Sequence, residues 1–426
     1  MINHLPADHL SFLRQIGKLA EQQKLVAYAV GGLVRDLLLG RGDGLDLDVV
    51  LEGDAIAFAN WLHAHYGGQL TTHAAFGTAT WQIAPTALGD IVDDSTELHV
   101  DLITARREVY AAPAALPTVY PSHLQDDLQR RDFTINTLAI CLHPARWGEL
   151  VDPCDGLADL RAGVIRVLHD ASFVDDPTRI LRAVRYEQRF GFVIEAHTLA
   201  LVQSAIPLVD HLTPDRVRHE FERIFREAGP EKPLSRLAQL GLLAPLHPNW
   251  HFTSEAATHL VRLRAALGSP EIAPEIVNVS PEQLHWGVLG LTLTAPAQAA
   301  LVTRLGLDRT TQRIMADMAY LHRQAAQLAN SSNPPSIFVA LIERSHAPAP
   351  ALYQVLTEDE AIAATLRRYL ATWQFVRPVL TGDDLRILGL PPGPRYRKIL
   401  TALRNARLDG TVQQRADELA LVQQLV

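Results

Sequence analysis

The chain has 426 residues, of which 48% are hydrophobic and 20% charged, with a formal net charge of −8. That composition excludes disordered, collagen-like and strongly basic classes and leaves an ordinary globular protein, long enough for several domains and a sizeable core. There is no charged-then-apolar leader and no apolar run long enough to span a bilayer, so no membrane association and a cytoplasmic location are expected.

Two cysteines, Cys141 and Cys154, lack the number and spacing of a disulfide framework or a zinc site and are expected to be core or loop thiols. The acidic balance speaks mildly against nucleic acid as a partner. Only four of the 39 basic residues are lysines, however, and arginine carries the planar fork that suits phosphates and base edges.

Residues 1–24 predict one amphipathic helix with Leu10, Leu13, Ile16 and Leu19 on its apolar side. The stretch from Tyr28 to Leu51 then reads as an apolar strand, the pair Gly31–Gly32, a helix start, a glycine-rich turn and a second strand bearing Asp46 and Asp48. Residues two apart on a strand share a face, so both carboxylates project together. They repel unless a cation sits between them. A glycine pair after a strand lets backbone N–H groups approach a phosphate closely, with a helix N-terminus behind them. Carboxylates for Mg²⁺ beside a phosphate cradle point to phosphoryl or nucleotidyl transfer.

Ala55 to Tyr66 predicts a helix. Gln69 to His73 and Thr78 to Ile83 predict strands joined by a turn, and Leu98 to Thr104 an alternating strand carrying Asp101. Asp101 is either a third carboxylate of a two-metal site or a residue that caps a strand end or pairs with Arg106. A mixed sheet with helices on one side, ending near residue 142, is the expected assembly. The Ala/Pro-rich stretch from Arg106 to Gln125 is expected to be a flexible loop beside the site. From Asp127 to Ala139, Phe133, Ile135, Leu138 and Ala139 suit a buried helix or a turn plus helix, with Arg130, Arg131 and Asn136 able to reach a triphosphate or ribose.

Residues 142–172 form a connector with a strand-like segment from Val164 to Leu168. A well-punctuated helix follows, with Asp176 as N-cap, Pro177 at the first helical position and Gly191 as its stop. Arg179, Arg182, Arg185 and Arg189 fall within about half of its circumference. Asp176 and Arg179 are neighbours on the first turn. Besides capping, a carboxylate that accepts and a guanidinium that donates would match the pairing edges of cytosine and adenine and oppose those of guanine and uracil.

Beyond residue 200 helix follows helix, beginning with Thr213 to Phe225, which has an apolar stripe of Val217, Phe221 and Ile224. Leu234 to Leu240 is a shorter helix stopped by Gly241, and Ser331 to Ser336 and Ala347 to Pro350 mark loops. Near the end, a helix from Asp383 to Gly389 and a Pro/Gly turn open another helix, around whose start Arg395, Arg397, Lys398, Arg404 and Arg407 cluster. They form either a nucleic-acid phosphate site or a solvated charged face.

The ordered set Gly31-Gly-Leu-Val-Arg-Asp36, Asp46-Leu-Asp48, Arg130-Arg-Asp-Phe-Thr-Ile-Asn136 and Asp175-Asp-Pro-Thr-Arg-Ile-Leu-Arg-Ala-Val-Arg185 resembles that of the class II tRNA nucleotidyltransferases, the CCA-adding enzymes, and of their relatives the bacterial poly(A) polymerases. The resemblance implies an α+β fold. An N-terminal nucleotidyltransferase palm, a mixed β-sheet with helices over residues 1–142, would be followed by an all-α neck at 143–210, body at 211–300 and tail at 301–426.

The resemblance also implies roles. Asp46 and Asp48 would hold catalytic Mg²⁺, with Asp101 as a further catalytic carboxylate. Gly31, Gly32 and Arg35 would line the triphosphate pocket, and Arg130, Asp132 and Asn136 would position sugar and phosphates. Asp176 and Arg179 would select the base, with Arg182 and Arg185 beside them, and Arg395, Arg397, Lys398 and Arg404 would bind RNA. The implied function is template-independent CCA addition to tRNA from CTP and ATP, with contacts to the acceptor end and elbow and the oligomeric state left open. Specialised CC-adding or A-adding enzymes and poly(A) polymerase are the alternatives within the class. Outside it stands a catalytically inactive tRNA-binding protein, against which the intact Asp46, Asp48 and Asp101 speak.

Overall fold

The computed structural model describes residues 5–41, 46–84, 98–248, 250–269 and 273–426. Part of the glycine-rich turn expected before Asp46, at 42–45, lies outside the described residues. The described chain divides into two compact units, 1–212 and 213–426.

The first unit opens with α1 (Ala7–Gln22), which buries Phe12, Leu13, Ile16 and Leu19. It leads into β1 (Val26–Val30), α2 (Gly32–Leu38), β2 (Leu47–Glu52), α3 (Ala55–Tyr66), β3 (Gln69–His73), β4 (Thr78–Ile83) and β5 (Leu98–Thr104). The turn between β1 and α2 depends on Gly31, whose φ of 65° is left-handed and available to glycine at little steric cost. Asp54 caps α3 by accepting from the Ala57 N–H at 2.9 Å, and Gly67, at φ 73°, ends it.

The main sheet has seven strands in the order β3-β4-β5-β2-β1-β8-β9, completed by β8 (Ala139–Cys141) and β9 (Leu150–Val151). Among its described residues only β2 and β5 pair in parallel. A parallel pair needs a long crossover, which the chain makes through α3, β3 and β4. The register sets Asp48 opposite Asp101. Val49, Val50 and Leu51 are all buried, so both faces of the sheet are covered, rather than one as expected. Tyr28, Val30, Val50, Ala139 and Cys141 pack against Leu124 and Leu128 of α4 (Leu124–Gln129) on one face. The sheet also extends past residue 142, to Val151.

Two expectations fail in the middle of this unit. The segment expected as a flexible loop is a two-stranded ribbon of β6 (Arg106–Val109) and β7 (Thr118–Pro121) running into α4. Cross-strand pairing supplies the order that the local Ala/Pro composition hides. The segment 127–139 is not one buried helix; the alternative expected turn is present, but a strand follows it instead of a helix. After α4 the chain turns through a single 3-10 turn at Thr134–Asn136 into β8, because Asp132 takes the Phe133 N–H at 2.9 Å and the Asn136 side-chain amide at 2.8 Å, pulling the backbone out of helical register.

Then come α5 (Gly156–Ala162), the parallel pair β10 (Val164–Ile165) and β11 (Val193–Ile194), α6 (Ser172–Asp175), α7 (Thr178–Phe190) and α8 (Ala196–Ala205). Helix α7 starts one residue later than expected. Pro177 takes the N-cap position expected for Asp176, and Asp176 satisfies the first helical N–H from one residue earlier, accepting from the Thr178 N–H at 2.9 Å and hydroxyl at 2.5 Å. Gly191, at φ 68°, stops it.

The second unit is helical throughout its described residues. Pro214–Phe225 buries Val217, Phe221 and Ile224 as the stripe requires, and Phe221 and Phe225 pack on Trp286 with ring centroids 5.6 and 4.9 Å away. Gly287 lets Pro281–Gly290 approach Arg309–Arg323 closely, since a Cβ there would lie 2.7 Å from a methyl of Ile314. Near the end, Leu380, Leu385, Ile399, Leu403 and Val422 form a separate small core. Beside it the fully buried Glu418 accepts from the Val379 and Leu380 N–H groups at 2.9 and 2.7 Å and from Arg407 at 2.6 Å.

Candidate active site

Asp48 and Asp101 lie on one face at the parallel β2–β5 seam, because in-register residues on neighbouring strands point the same way; Asp46 precedes β2, and its charge acts on Asp48. Asp46 and Asp101 are exposed, and Asp48 is half-buried between them and Arg131. Burial raises the Asp48 carboxyl and the carboxylates of Asp101 and Asp46 raise it further, against the pull of Arg131, to about 6. Asp101 accepts from the Thr80 hydroxyl at 2.6 Å. Arg106 goes elsewhere, to the Phe76 carbonyl at 2.6 Å and Glu108 at 3.3 Å, so the alternative pairing of Asp101 with Arg106 is not made.

Among the described residues no three His, Cys, Asp or Glu side chains already converge as a ligand set. The donor set nevertheless fits a hard divalent cation. Oxygen ligands of like charge are crowded beside a half-buried carboxylate whose ionisation they oppose, and a cation would relieve that repulsion.

Arg131 reaches this corner as well. Its guanidinium lies over Gly31, where an added Cβ would sit 2.5 Å from Nη1, and its other end holds Asp127 at 3.1 Å. Arg130 faces the other way, to Asp127 at 2.7 Å and to Glu108 at 3.0 Å. Burial would raise the carboxyl of Asp127, but the two guanidiniums hold it below the usual carboxylate range. The sequence marks both arginines; which one turns toward the carboxylates is decided by the pairing of Asp127.

From Gly31–Gly32 a buried polar chain runs to α7. Arg35 grips Asp36 with Nε and Nη2 at 2.9 and 2.8 Å and donates through Nη1 to Asn136 at 2.7 Å. Its guanidinium carbon lies 5.1 Å from the Tyr186 ring centroid and 4.7 Å from that of Phe190. Asn136 donates to Asp132, which also accepts from Arg182 at 2.8 and 2.6 Å. Burial alone would push the Asp132 carboxyl up, but Arg182 and the Asn136 amide bring it down to about 2. Asp132 and Asn136 are therefore braces between the β1–α2 turn and α7. Tyr186 and Phe190, which the sequence analysis did not single out, provide the aromatic walls around Arg35.

At the start of α7, Arg179 is buried and donates to the Ser172 hydroxyl at 2.7 Å and to the Arg130 carbonyl at 2.9 Å. Arg185 is buried too, 4.8 Å from the Tyr186 ring centroid. The structure thus brings Arg130, Asp132, Arg179 and Arg182 together beside α7.

The tail cations separate into two kinds. Arg404 is tied to Glu343 at 2.6 and 2.9 Å and to the Val376 carbonyl at 2.9 Å, and Arg395 reaches the Val426 carbonyl at 2.8 Å. Arg397 and Lys398 are exposed on the same helix, Pro394–Leu408. Tyr396, Arg397, Leu400 and Thr401 line a cavity of about 790 Å³ there.

Comparison with known proteins gives a consistent picture. Residues 27–166 match the model of the poly A polymerase head domain, and residues 191–253 match that of a probable RNA and SrmB-binding site of polymerase A. An A-adding tRNA nucleotidyltransferase from Halalkalibacterium halodurans is 35% identical over 98% of this chain and 93% of its own length. A CCA-adding enzyme solved in an apo form superposes with a TM-score of 0.83 at 30% identity, over 100% of this chain and 97% of the other. The Thermotoga maritima CCA-adding enzyme, solved in complex with tRNA, superposes at a TM-score of 0.74 and 28% identity, over 99% and 97%.

Proposed function

This chain belongs to the tRNA nucleotidyltransferase family, and we propose that it extends the 3′ end of tRNA without a template, taking CMP and AMP from CTP and ATP to complete the CCA terminus. The observation that carries this reading is the seam of β2 and β5, where Asp48 stands opposite Asp101 and is acted on by the charges of Asp46 and of Arg131, whose guanidinium lies over Gly31. No described helix is long and apolar enough to cross a membrane, and a cytoplasmic location is part of the proposal. So is the division into head 1–142, neck 143–210, body 211–300 and tail 301–426. The break between compact units after Leu212 supports its middle boundary.

Nucleotidyltransferases of this kind are generally metal-dependent. Asp46 and Asp48, with Asp101 as a further carboxylate, are the residues that would hold Mg²⁺. There it would neutralise charge developing at the α-phosphate and favour ionisation of the 3′-hydroxyl. The rest falls to the chain itself. Arg131, with Gly31 and Gly32 at its back, holds the triphosphate in line with the attacking hydroxyl, so that pyrophosphate departs on the opposite side. Arg35, Asn136, Asp132 and Arg182 keep the turn and α7 at a fixed separation, which makes positioning the main contribution.

Asp176 offers an acceptor to the exocyclic amine of cytosine or adenine, and Arg179 offers a donor to the adjacent ring nitrogen. Guanine and uracil present the reverse pattern. Two N–H donors of Arg179 are committed to Ser172 and the Arg130 carbonyl; a guanidinium has five. In the tail, Arg397 and Lys398 are the cations best placed to meet tRNA phosphates, while Arg395 and Arg404 hold the segment together.

A second reading, addition of the terminal A alone, is favoured by the full-length match to an A-adding enzyme. For the shared chemistry the test is Asp46→Ala. Nucleotide incorporation should vanish while tRNA still binds, and an active Asp46→Ala protein would remove the carboxylate assignment.

A further inference from the structure

The ribbon of β6 and β7 has two unlike faces. Its inner face is consumed by the fold: Glu108 accepts from Arg130 at 3.0 Å and from the Tyr110 hydroxyl at 2.9 Å, and Arg106 donates to the Phe76 carbonyl at 2.6 Å. The outer face is presented to solvent. Arg107 and Tyr120 are direct cross-strand partners there, as are Val109 and Thr118. The Arg107 guanidinium carbon lies 4.8 Å from the Tyr120 ring centroid. Tyr120 is 44% exposed, Val109 46%, and Leu116, in the connection between the strands, 70%. The inner face already docks the ribbon, so folding does not require a tyrosine and two aliphatic side chains on the outside.

We propose that this outer face, centred on Tyr120 and Arg107, is a stacking platform for the unpaired terminal bases of the acceptor RNA. The inference rests on the transferase reading above and adds to it the surface that receives the primer end. A ring carrying a guanidinium is the chemistry that binds unstacked bases without regard to sequence: the ring gives a π surface and the cation attends the backbone. That tolerance suits a primer whose last base changes as nucleotides are added.

Placement selects the primer end over other occupants. Strand β6 begins two residues after β5, the strand of Asp101, and β7 is tied back by the Ser122 N–H to the Ala105 carbonyl at 2.7 Å. The other end of the ribbon meets the helix that precedes Asp176, through the Ala114 N–H to the Val174 carbonyl at 3.1 Å. Asp176 and Arg179 both act electrostatically on the Tyr110 hydroxyl. The ribbon therefore bridges the carboxylate seam and the start of α7.

The test uses the full chain with Tyr120→Ala, Tyr120→Phe and Arg107→Ala, measuring KM separately for tRNA and for ATP. It is paired with quenching of a tRNA that carries 2-aminopurine as its 3′-terminal base. Tyr120→Ala should raise the tRNA KM about tenfold and abolish quenching, with the ATP KM within about twofold of wild type. Tyr120→Phe should restore both. Arg107→Ala should weaken tRNA binding and flatten its salt dependence. If wild type is active and quenches but Tyr120→Ala matches it in both readouts, the platform is wrong and the transferase reading stands. If wild type transfers nothing to any tRNA, it is the transferase reading that fails. If Tyr120→Ala leaves the tRNA KM unchanged but dissolves a dimer in sedimentation, the face joins copies of this chain and the platform is likewise overturned.

Discussion

Asp48 and Asp101 stand opposite each other in the register of β2 and β5, the only parallel pair in the main sheet among the described residues. Neither lies near the other in sequence; the crossover through α3, β3 and β4 brings them together. The cost of that arrangement falls on Asp48, whose carboxyl is pushed up to about 6 by burial and by its acidic neighbours. A divalent cation at this seam, as proposed above, would relieve that repulsion.

Asp48→Asn should therefore separate stability from activity. Removing one like charge should leave the thermal midpoint unchanged or raised when no divalent ion is present. Nucleotide incorporation should fall about a thousandfold, since several kcal/mol of charge stabilisation are lost and each tenfold corresponds to about 1.4 kcal/mol. The gain in Tm that Mg²⁺ gives wild type should also shrink. Scanning fluorimetry with and without Mg²⁺, alongside incorporation rates, checks all three; a Tm gain as large in Asp48→Asn as in wild type contradicts the assignment.

Asp132→Asn should be costly in a pH-dependent way. Its carboxyl sits at about 2 in the fold against an ordinary 3.8. A lowered pKa stabilises above the unfolded value and is lost as pH falls through the folded one. Near neutrality the substitution should cost about 3 kcal/mol, because Arg182 loses its buried partner. The gap between wild type and Asp132→Asn should narrow from pH 4 to pH 2. Denaturant unfolding across that range measures it, and a constant gap would show that the pair is not the source.

Asp176→Ala should cost about 1 kcal/mol through the lost cap on Thr178 and should also relax exclusion of GTP and UTP. Asp176→Asn separates the two effects. It can still accept from the Thr178 N–H but no longer presents a pure acceptor to an exocyclic amine. Incorporation of each NTP by both variants is the measurement. Loss of stability with an unchanged nucleotide profile would leave Asp176 a cap alone.

Much of this architecture was legible before any coordinates. The period-two alternation of Leu98 to Thr104 and the punctuation of Ala55 to Tyr66 are local signals, and those elements fall where the pattern puts them. The ribbon was not legible, since each strand has four residues and its support comes from Arg130, which lies outside it. Nor could the sequence distinguish Arg130 from Arg131: adjacent residues of one type are sorted by the tertiary position of Asp127. Nor could the sequence show that Asp132, read as helping to position the nucleotide, pairs with Arg182, fifty positions away.

The central claim is tested most directly by offering the wild-type protein three tRNA transcripts, ending before the first C, before the second C and before the final A, with each of the four NTPs alone. Incorporation of CMP on the first two and AMP on the third, with GTP and UTP refused throughout, is the predicted result; AMP on the third alone would select the A-adding reading. Indiscriminate use of all four NTPs, or no transfer to any of the three, would contradict the account.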